Sequence, residues 1–255
     1  MRVAINTNWV PFGTGTSTDP RGFAADLGIF VAGEMNMETE FVAASSSDEV
    51  VDLVSEGGAD LGFAAIELTE ENVRNNSLTD PFFIAHQRLL VTAGSDIEDI
   101  DDLAGKRVCE VVDNTTGVSM SELVEPVDVL TKSQVQDCVE SLGRGSVAAI
   151  SAQDGHLFEW LAPSHGPEAS GIPGVSAYEL VGDEGTTVGW AAIASPELSG
   201  LVGHFNDSLA EAKSDGDWSE WYARWIEPFS GQRDAEPPDL SLEEAAALFP
   251  SSLEG

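Results

Sequence analysis

The sequence predicts an α/β fold in which parallel strands are covered by helices. Between residues 2 and 67, strand-like runs alternate with runs of helical periodicity, in the order strand, helix, strand, helix, strand. This alternation is typical of βαβ units and a parallel sheet. A second series of the same kind begins near residue 88. The hydrophobic and charged contents, 42% and 22%, are those of a globular protein.

The first series can be assigned segment by segment. Apolar residues at helical spacing, Phe23, Leu27 and Val31, predict the first helix, and the valines from Val50 to Val54 mark the second. A stretch rich in Gly, Thr and Pro, residues 7–22, follows the first strand and predicts a long loop. In chain order, the predicted strands are "VAIN", "TEFVAA" and "ADLGFAAI".

The second series has more strands and ends in helices. Its predicted strands are "RLLVTAG", "RVCEVV", "VDVLT", "SVAAISA" and "TTVGWAAIA", and its predicted helices are "DIDDLAGK", "TTGVSMSELV", "SQVQDCVESLGRG", "LSGLVGHFNDSLAEAK" and "DWSEWYARWI". In the last of these, Trp218, Trp221, Tyr222 and Trp225 recur at helical spacing. Such an aromatic stripe usually packs in the core, and we expect core packing here in preference to a ligand box.

The net charge of −34, from 45 acidic and 11 basic residues, excludes several classes of partner. A field of this sign repels nucleic acid and anionic lipid. The acidic residues are dispersed along the chain, which indicates a solvated surface. Adaptation to a salty environment is one explanation that the composition leaves open.

Motifs for catalysis, metals and cofactors are missing from the sequence. It contains no HExxH, GxSxG, P-loop or GxGxxG motif, and its four histidines are isolated. We therefore expect no enzymatic activity, no bound metal and no cofactor. No run of apolar residues is long enough to span a membrane. The first residues, "MRVAIN", enter a strand directly, which fits either a cytoplasmic protein or the mature part of a secreted one.

The two cysteines provide a test of that choice. Cys109 falls within a predicted strand, and Cys138 falls on the apolar stripe of a predicted helix. A strand and the helix that covers it lie close enough for a disulfide if the Cα–Cβ vectors suit. From the residues alone, a disulfide and two buried free thiols both remain open. A disulfide would place the chain outside the cytoplasm.

Several stretches, taken in order, resemble the bacterial family 3 solute-binding proteins of amino-acid ABC importers. They are "WVPFG…RGFAADL", "LVSEGGADLGFAAIELTEENVRNNSLTDPFF", "DIDDLAGKRVCEVVDNTTG" and "SDGDWSEWYARWI". The resemblance covers residues 2–226. The cysteine frames resemble the actinobacterial glutamate-binding branch, which implies a Cys109–Cys138 disulfide.

The resemblance implies a periplasmic-binding-protein type II fold, with two α/β lobes joined by two hinge strands and a ligand cleft between them. Lobe 1 would comprise residues 1–88 and 188–233, lobe 2 residues 89–187, and residues 234–255 would form an acidic C-terminal tail. The hinge strands would run near His86–Val91 and Asp183–Val188. Closure around a ligand is the expected motion.

The resemblance also implies ligand-binding residues in lobe 1. Trp9 matches the aromatic residue that stacks on the ligand, although a partly buried anchor of the loop is the alternative. Asn6 occupies a neighbouring polar position. The backbone around Ala65 matches groups that meet the ligand, and Glu67 stands where the family usually has Thr or Ser.

The family next carries Thr-x-x-Arg, whose arginine binds the α-carboxylate of the ligand. Here the motif begins at Thr69, and the arginine position is Asn72, for which a surface residue at a helix start is the alternative reading. Arg74 lies about 200° further around a helix. Since charge-assisted hydrogen bonds are about twice as strong as neutral ones, Asn72 would weaken the usual carboxylate clamp.

In lobe 2, the resemblance implies that Thr115 and Thr116 meet the polar end of the ligand. The family's ammonium-binding aspartate falls on Gln153, with Asp154 next in sequence. With Glu67 and Asp154 the site is acidic. We expect a neutral or cationic polar ligand, or a modified amino acid, ahead of free glutamate.

The implied function is delivery of a small polar solute to an ABC permease and ATPase. Two alternatives are a ligand sensor that signals to a membrane receptor or kinase and, with less support, a dehydratase-like enzyme on the same fold. We expect a monomer at the extracellular face of the cytoplasmic membrane, secreted or lipid-anchored, or in the periplasm.

Overall fold

The computed structural model describes residues 1–111, 118–161, 177–182 and 185–248, and the chain divides into two compact units. Among the described residues, unit 1 contains 1–84 and 188–248, and unit 2 contains 85–111, 118–161, 177–182 and 185–187. Each unit combines strands and helices, so the predicted α/β class is confirmed.

The strands are β1 Arg2–Asn6, β2 Asn8–Trp9, β3 Gly13–Thr16, β4 Asp19–Arg21, β5 Glu40–Ala44, β6 Leu61–Glu67, β7 Ser77–Thr92, β8 Arg107–Val111, β9 Asp128–Lys132, β10 Ala149–Gln153, β11 Tyr178–Val181 and β12 Thr187–Ala194. The α-helices are α1 Phe23–Glu34, α2 Ser47–Ser55, α3 Glu70–Asn75, α4 Met120–Leu123, α5 Val135–Gly143, α6 Asp154–Leu157, α7 Val202–Asp215, α8 Asp217–Trp225, α9 Glu227–Ser230 and α10 Leu242–Leu248. Short 3-10 helices cover Ile100–Leu103, Phe158–Leu161 and Pro196–Leu201.

The sheet of unit 1 follows the predicted parallel pattern at its centre. β1 pairs in parallel with both β5 and β6, and β12 joins β6 antiparallel. Helix α2 packs on this sheet through Val50 and Val54, both fully buried. A Cβ atom on Gly62 would lie 2.7 Å from a methyl group of each valine. Only glycine therefore allows α2 to approach β6 this closely.

Aromatic side chains fill the other part of the unit 1 core. Phe23 packs edge-on to Trp218 and Trp221 of α8, with ring centroids 5.6 and 6.3 Å apart. The Nε1 atom of Trp218 donates a 2.8 Å hydrogen bond to the carbonyl of Phe82. Trp218, Trp221 and Tyr222 are buried, which confirms the predicted core role for these three residues. Trp225 is only half-buried, and its Nε1 atom donates a 2.7 Å hydrogen bond to the carboxylate of Asp26.

Unit 2 is built on a mixed sheet. β10 and β11 both pair antiparallel with β7, while β8 pairs in parallel with β10 and β9. Cys109 on β8 and Cys138 on α5 form a disulfide with a Cα–Cα distance of 5.6 Å, and both are fully buried. The disulfide implied by the resemblance is thus present, and it ties a strand to the helix that covers it.

Several described segments differ from the sequence prediction: β11 was not predicted, and β7 begins at Ser77, well before the predicted strand at residue 88. The expected loop after β1 contains a small antiparallel sheet, β2–β3–β4. The helix expected from "TTGVSMSELV" is described only from Met120 to Leu123, since residues 112–117 lie outside the described chain. The long helix expected from residue 198 begins as a 3-10 helix and becomes α7 only at Val202. Gly200 in the 3-10 segment contributes to this late start, because glycine disfavours the interior of an α-helix.

Candidate functional site

The segment that follows β6 is held together by its own polar groups. The Oγ1 atom of Thr69 accepts a 3.1 Å hydrogen bond from the backbone N–H of Asn72, which caps α3. The side-chain amide of Asn72 donates a 2.9 Å hydrogen bond to the carbonyl of Glu67. Asn76 in turn donates to the carbonyl of Asn72 at 3.1 Å. Glu67, Thr69 and Asn72 are therefore brought together by local contacts.

Arg74 is directed away from this network. Its guanidinium lies 3.8 Å from the carboxylate of Glu70 one turn earlier, and the arginine side chain is 72% exposed. An exposed ion pair of this kind contributes little to stability. Arg74 therefore does not join the hydrogen-bond network of Glu67, Thr69 and Asn72.

Trp9 lies at the end of β2, in the aromatic core of unit 1. Its ring stacks on Phe12 with centroids 4.4 Å apart and an interplanar angle of 18°, and Trp190 lies 5.2 Å away. The residue is only 5% exposed. Among the described residues, the buried Nε1 atom of Trp9 has no hydrogen-bond partner. An unsatisfied buried donor costs about 1–3 kcal/mol, so a ligand acceptor at this atom would recover that energy.

Two further lobe 1 candidates lie on neighbouring strands. Asn6, at the end of β1, is buried, and its Oδ1 atom accepts a 3.0 Å hydrogen bond from the backbone N–H of Asn8. Ala65 is half-buried near the end of β6. Strands β1 and β6 are parallel neighbours, so both residues lie towards the carboxyl edge of the sheet, where ligands bind in open α/β sheets.

In unit 2, Gln153 ends β10 and Asp154 begins α6, and both are buried. The Oδ1 atom of Asp154 accepts hydrogen bonds from the backbone N–H groups of His86, at 3.1 Å, and Gly155, at 2.7 Å. Its Oδ2 atom lies 3.7 Å from Nδ1 of His86. Asp154 is thus a carboxylate fixed by backbone hydrogen bonds and lying beside the imidazole of His86.

The sequence reasoning did not include His86 among the site residues. It lies on β7, and Gln87, the next residue, is opposite Gln153 in the antiparallel register with β10. That register places His86 beside Asp154, which no local sequence pattern could reveal. Thr115 and Thr116, the other candidates in this unit, lie outside the described residues.

Burial also changes two ionisable groups that follow Asp154. It lowers the pKa of His156 on α6 to about 4, so this imidazole is neutral at neutral pH. Burial raises the pKa of the Glu159 carboxyl above its ordinary value.

Neither a metal centre nor a membrane span is found in the part of the chain that the structure describes. No group of three or more His, Cys, Asp or Glu side chains there is arranged to hold a metal ion. None of the described helices is long and apolar enough to cross a membrane.

The fold and the match to a family model are those of a solute-binding protein. The chain belongs to the bacterial extracellular solute-binding proteins, family 3, whose model matches residues 1–228. It is 24% identical over 215 residues to the glutamine-binding protein GlnH of an ABC transporter of Bacillus subtilis, covering 83% of this chain and 74% of GlnH. It is 25% identical over 140 residues to the glutamate-binding protein GluB of Corynebacterium efficiens, covering 51% of this chain and 47% of GluB.

Solved structures give the same fold. The ancestral amino acid-binding protein AncCDT-1, a precursor of cyclohexadienyl dehydratase, matches with a TM-score of 0.67 and 20% identity, over 89% of this chain and 95% of that one. The predicted type II periplasmic-binding-protein fold is thereby confirmed. The structural likeness concerns the fold. The relatives GlnH and GluB are a glutamine-binding and a glutamate-binding protein, and GlnH belongs to an ABC transporter.

Proposed function

We propose that this protein captures a small polar solute of the amino-acid class, neutral or cationic, and delivers it to an ABC importer. The observation that carries the proposal is the hydrogen bonding of the Asn72 side chain. Its amide is engaged with the carbonyl of Glu67, and the nearest arginine in sequence, Arg74, pairs with Glu70 at the surface. The position that binds an α-carboxylate in the family therefore has no cation.

The remaining polar groups favour a ligand that is not anionic. Glu67 at the end of β6 and Asp154 at the end of β10 are both carboxylates. A carboxylate that accepts a hydrogen bond from an ammonium group forms a charge-assisted pair. The Nε1 donor of Trp9 would bind one neutral acceptor of the same ligand, and Asn6, Ala65, Thr69 and Gln153 would complete the contacts, with Thr115 and Thr116.

The partners and the location follow from the family. We propose a permease and an ATPase as transport partners, and a location outside the cytoplasmic membrane, in the periplasm or at the cell surface with secretion or a lipid anchor. The disulfide supports a compartment outside the reducing cytoplasm. We propose a monomer with no catalytic activity and no cofactor.

A panel of ligands tests this function directly. Thermal unfolding and calorimetric titration would be measured at constant salt with glutamate, aspartate, glutamine, arginine, polyamines and amines that lack a carboxylate. A ligand that binds only the folded state stabilises it by about 2.7 kcal/mol at a hundredfold excess over Kd. We expect stabilisation by cationic or carboxylate-free compounds, and none by glutamate or aspartate.

A matched pair of variants tests whether the carboxylate of Glu67 binds the ligand. Glu67→Gln should weaken binding of a cationic ligand about tenfold or more, because it removes one charge from the pair. Glu70→Gln, which changes the same charge on the exposed side of α3, should leave binding unchanged. Tight binding of glutamate by the wild type, or equal effects of the two variants, would overturn the proposed ligand class.

A further inference from the structure

The C-terminal strap, residues 238–248, lies beyond the part of the chain that the family model matches. It nevertheless packs on unit 1. Ala245 of α10 is fully buried, and Leu240, Leu242 and Ala246 pack against the same core cluster, which also contains Leu68. The strap is therefore an integral part of the unit that carries Glu67 and Asn72.

Polar contacts hold the start of α10 in place. Ser241 and Glu244 form a capping box: the Oγ atom of Ser241 accepts from the N–H of Glu244 at 3.3 Å, and the Glu244 carboxylate accepts from the N–H of Ser241 at 2.9 Å. The carboxylate of Asp80 accepts a 2.7 Å hydrogen bond from the N–H of Leu242. These bonds satisfy backbone donors that would otherwise have no partner at the helix start.

The strap lies next to residues 67–72, the segment that carries Glu67, Thr69 and Asn72. A Cβ atom added to Gly189 would lie 3.1 Å from the Cβ of Ala245 and 3.1 Å from a methyl group of Leu68. The N–H of Leu68 donates a 2.9 Å hydrogen bond to the carbonyl of Gly189. Because Leu68 stands between Glu67 and Thr69, any displacement of the strap acts on both candidate ligand residues.

Helix α3 has little packing of its own to hold its position. It has six residues, none of them fully buried, and a helix this short is not stable in isolation. Its half-buried Val73 packs against the same core cluster as the strap, and α10 contacts α3. The strap thus supplies part of the surface on which α3 rests.

We propose that the C-terminal strap positions α3 and the preceding loop, and that Ala245 and its neighbours thereby set the affinity of the site for its ligand. The strap residues are positioning residues, because they act through Leu68 and Val73 and are not proposed to touch the ligand. The affinity part of this inference depends on the proposed function, whereas the positioning of α3 does not.

Hydrogen exchange on the full chain and on a chain that ends at residue 236 tests the positioning. The N–H of Val73 donates to the carbonyl of Thr69 and that of Asn76 to the carbonyl of Asn72, so their exchange rates report on α3. We expect these amides to exchange about tenfold faster or more without the strap, while amides of β8 in unit 2 are unchanged. A synthetic peptide of residues 237–248, added in trans, should restore protection.

A pair of substitutions decides the question if the shortened chain does not fold. Glu244→Ala removes one half of the capping box, whereas Glu243→Ala makes the same change at an exposed position with no cap contact. Faster exchange in α3 for Glu244→Ala alone supports the inference. Equal exchange of α3 in both variants and in the full chain overturns it.

Affinity is measured separately on the same proteins. With a ligand that stabilises the full chain, we expect Kd to rise about tenfold for the shortened chain and less for Glu244→Ala. An unchanged Kd alongside faster α3 exchange would contradict the affinity part of the inference. A failure of the proposed function would appear differently, as the absence of any ligand that stabilises the full chain.

Discussion

The side-chain amide of Asn72 donates a 2.9 Å hydrogen bond to the main-chain carbonyl of Glu67. This bond spans the loop between β6 and α3, and with the Thr69 cap it closes the segment on itself. A side chain that could recognise a carboxylate is thus used to stabilise the loop.

Asn72→Arg should restore a carboxylate clamp. A charge-assisted hydrogen bond contributes about 1.5–3 kcal/mol, so binding of amino acids with a free α-carboxylate should become about tenfold tighter or more. Calorimetric titration with glutamate and glutamine measures the change. Arg74→Ala is the control, because Arg74 is exposed and paired only with Glu70 among the contacts described. If Arg74→Ala weakened ligand binding, the assignment of position 72 would be wrong.

The substitution Trp9→Phe tests whether Trp9 acts through the packing of its ring or through the Nε1 hydrogen-bond donor. The phenyl ring keeps the stack on Phe12 but removes the buried Nε1 donor. The smaller ring leaves a cavity that lowers stability, and removal of a donor that has no partner in the described chain offsets part of that cost, so the net change in stability without ligand should be small. Ligand affinity should fall if the ligand supplies the acceptor. Urea unfolding and titration of the same variant test both parts, and a large loss of stability would show that the indole does more than stack.

Loss of the disulfide should destabilise the protein strongly. Cys109 and Cys138 are 29 residues apart, and closing a loop of this length stabilises by about 3–4 kcal/mol in the chain-entropy model. The double variant Cys109→Ser, Cys138→Ser should show that loss in urea unfolding. A reducing agent should lower the stability of the wild type but not that of the double variant. Equal stability of oxidised and reduced wild type would contradict the expectation.

Stability should fall between neutral and acidic pH because of His156. Burial lowers the pKa of this group in the folded state to about 4, from 6.5. A lowered pKa means that the unfolded chain binds the proton first, so stability is complete above the unfolded value and is lost as pH falls towards the folded one. At about pH 5 the expected loss from this group is about 2 kcal/mol.

The variant His156→Gln should remove this component, so its urea midpoint should fall less between about pH 7 and about pH 5. The control is His204→Gln, because His204 is exposed on α7 and its replacement should leave the wild-type pH profile intact. Parallel profiles for His156→Gln and the wild type would show that other groups carry the pH dependence.

Salt should stabilise the protein. With a net charge of −34, repulsion among surface carboxylates opposes the compact state, and the Debye length falls to about 3 Å in about 1 M salt. The melting temperature should therefore rise between low and molar KCl. A melting temperature that stays constant or falls as KCl is added would contradict this prediction. It would show that repulsion among the surface carboxylates does not lower the stability of the folded protein.

Local patterns in the sequence were sufficient for much of the fold. Alternating periodicities predicted β1, α1, β5, α2 and β6 in order, and the aromatic stripe from Trp218 predicted a core helix. These predictions succeed because a helix or strand that buries one face must carry apolar residues at a regular spacing along the chain. The same reasoning missed the β2–β3–β4 sheet, since its residues are turn formers with little apolar alternation.

The sequence by itself determined the α/β class, the family and the residue types at the candidate site. Tertiary structure decided how those residues are used. It set the register that brings His86 to Asp154, the packing that buries the Trp9 donor, and the docking of the strap against Gly189 and Leu68. These contacts join residues far apart in the chain or depend on the direction of a side chain. The spacing of apolar residues within one segment contains no information on either.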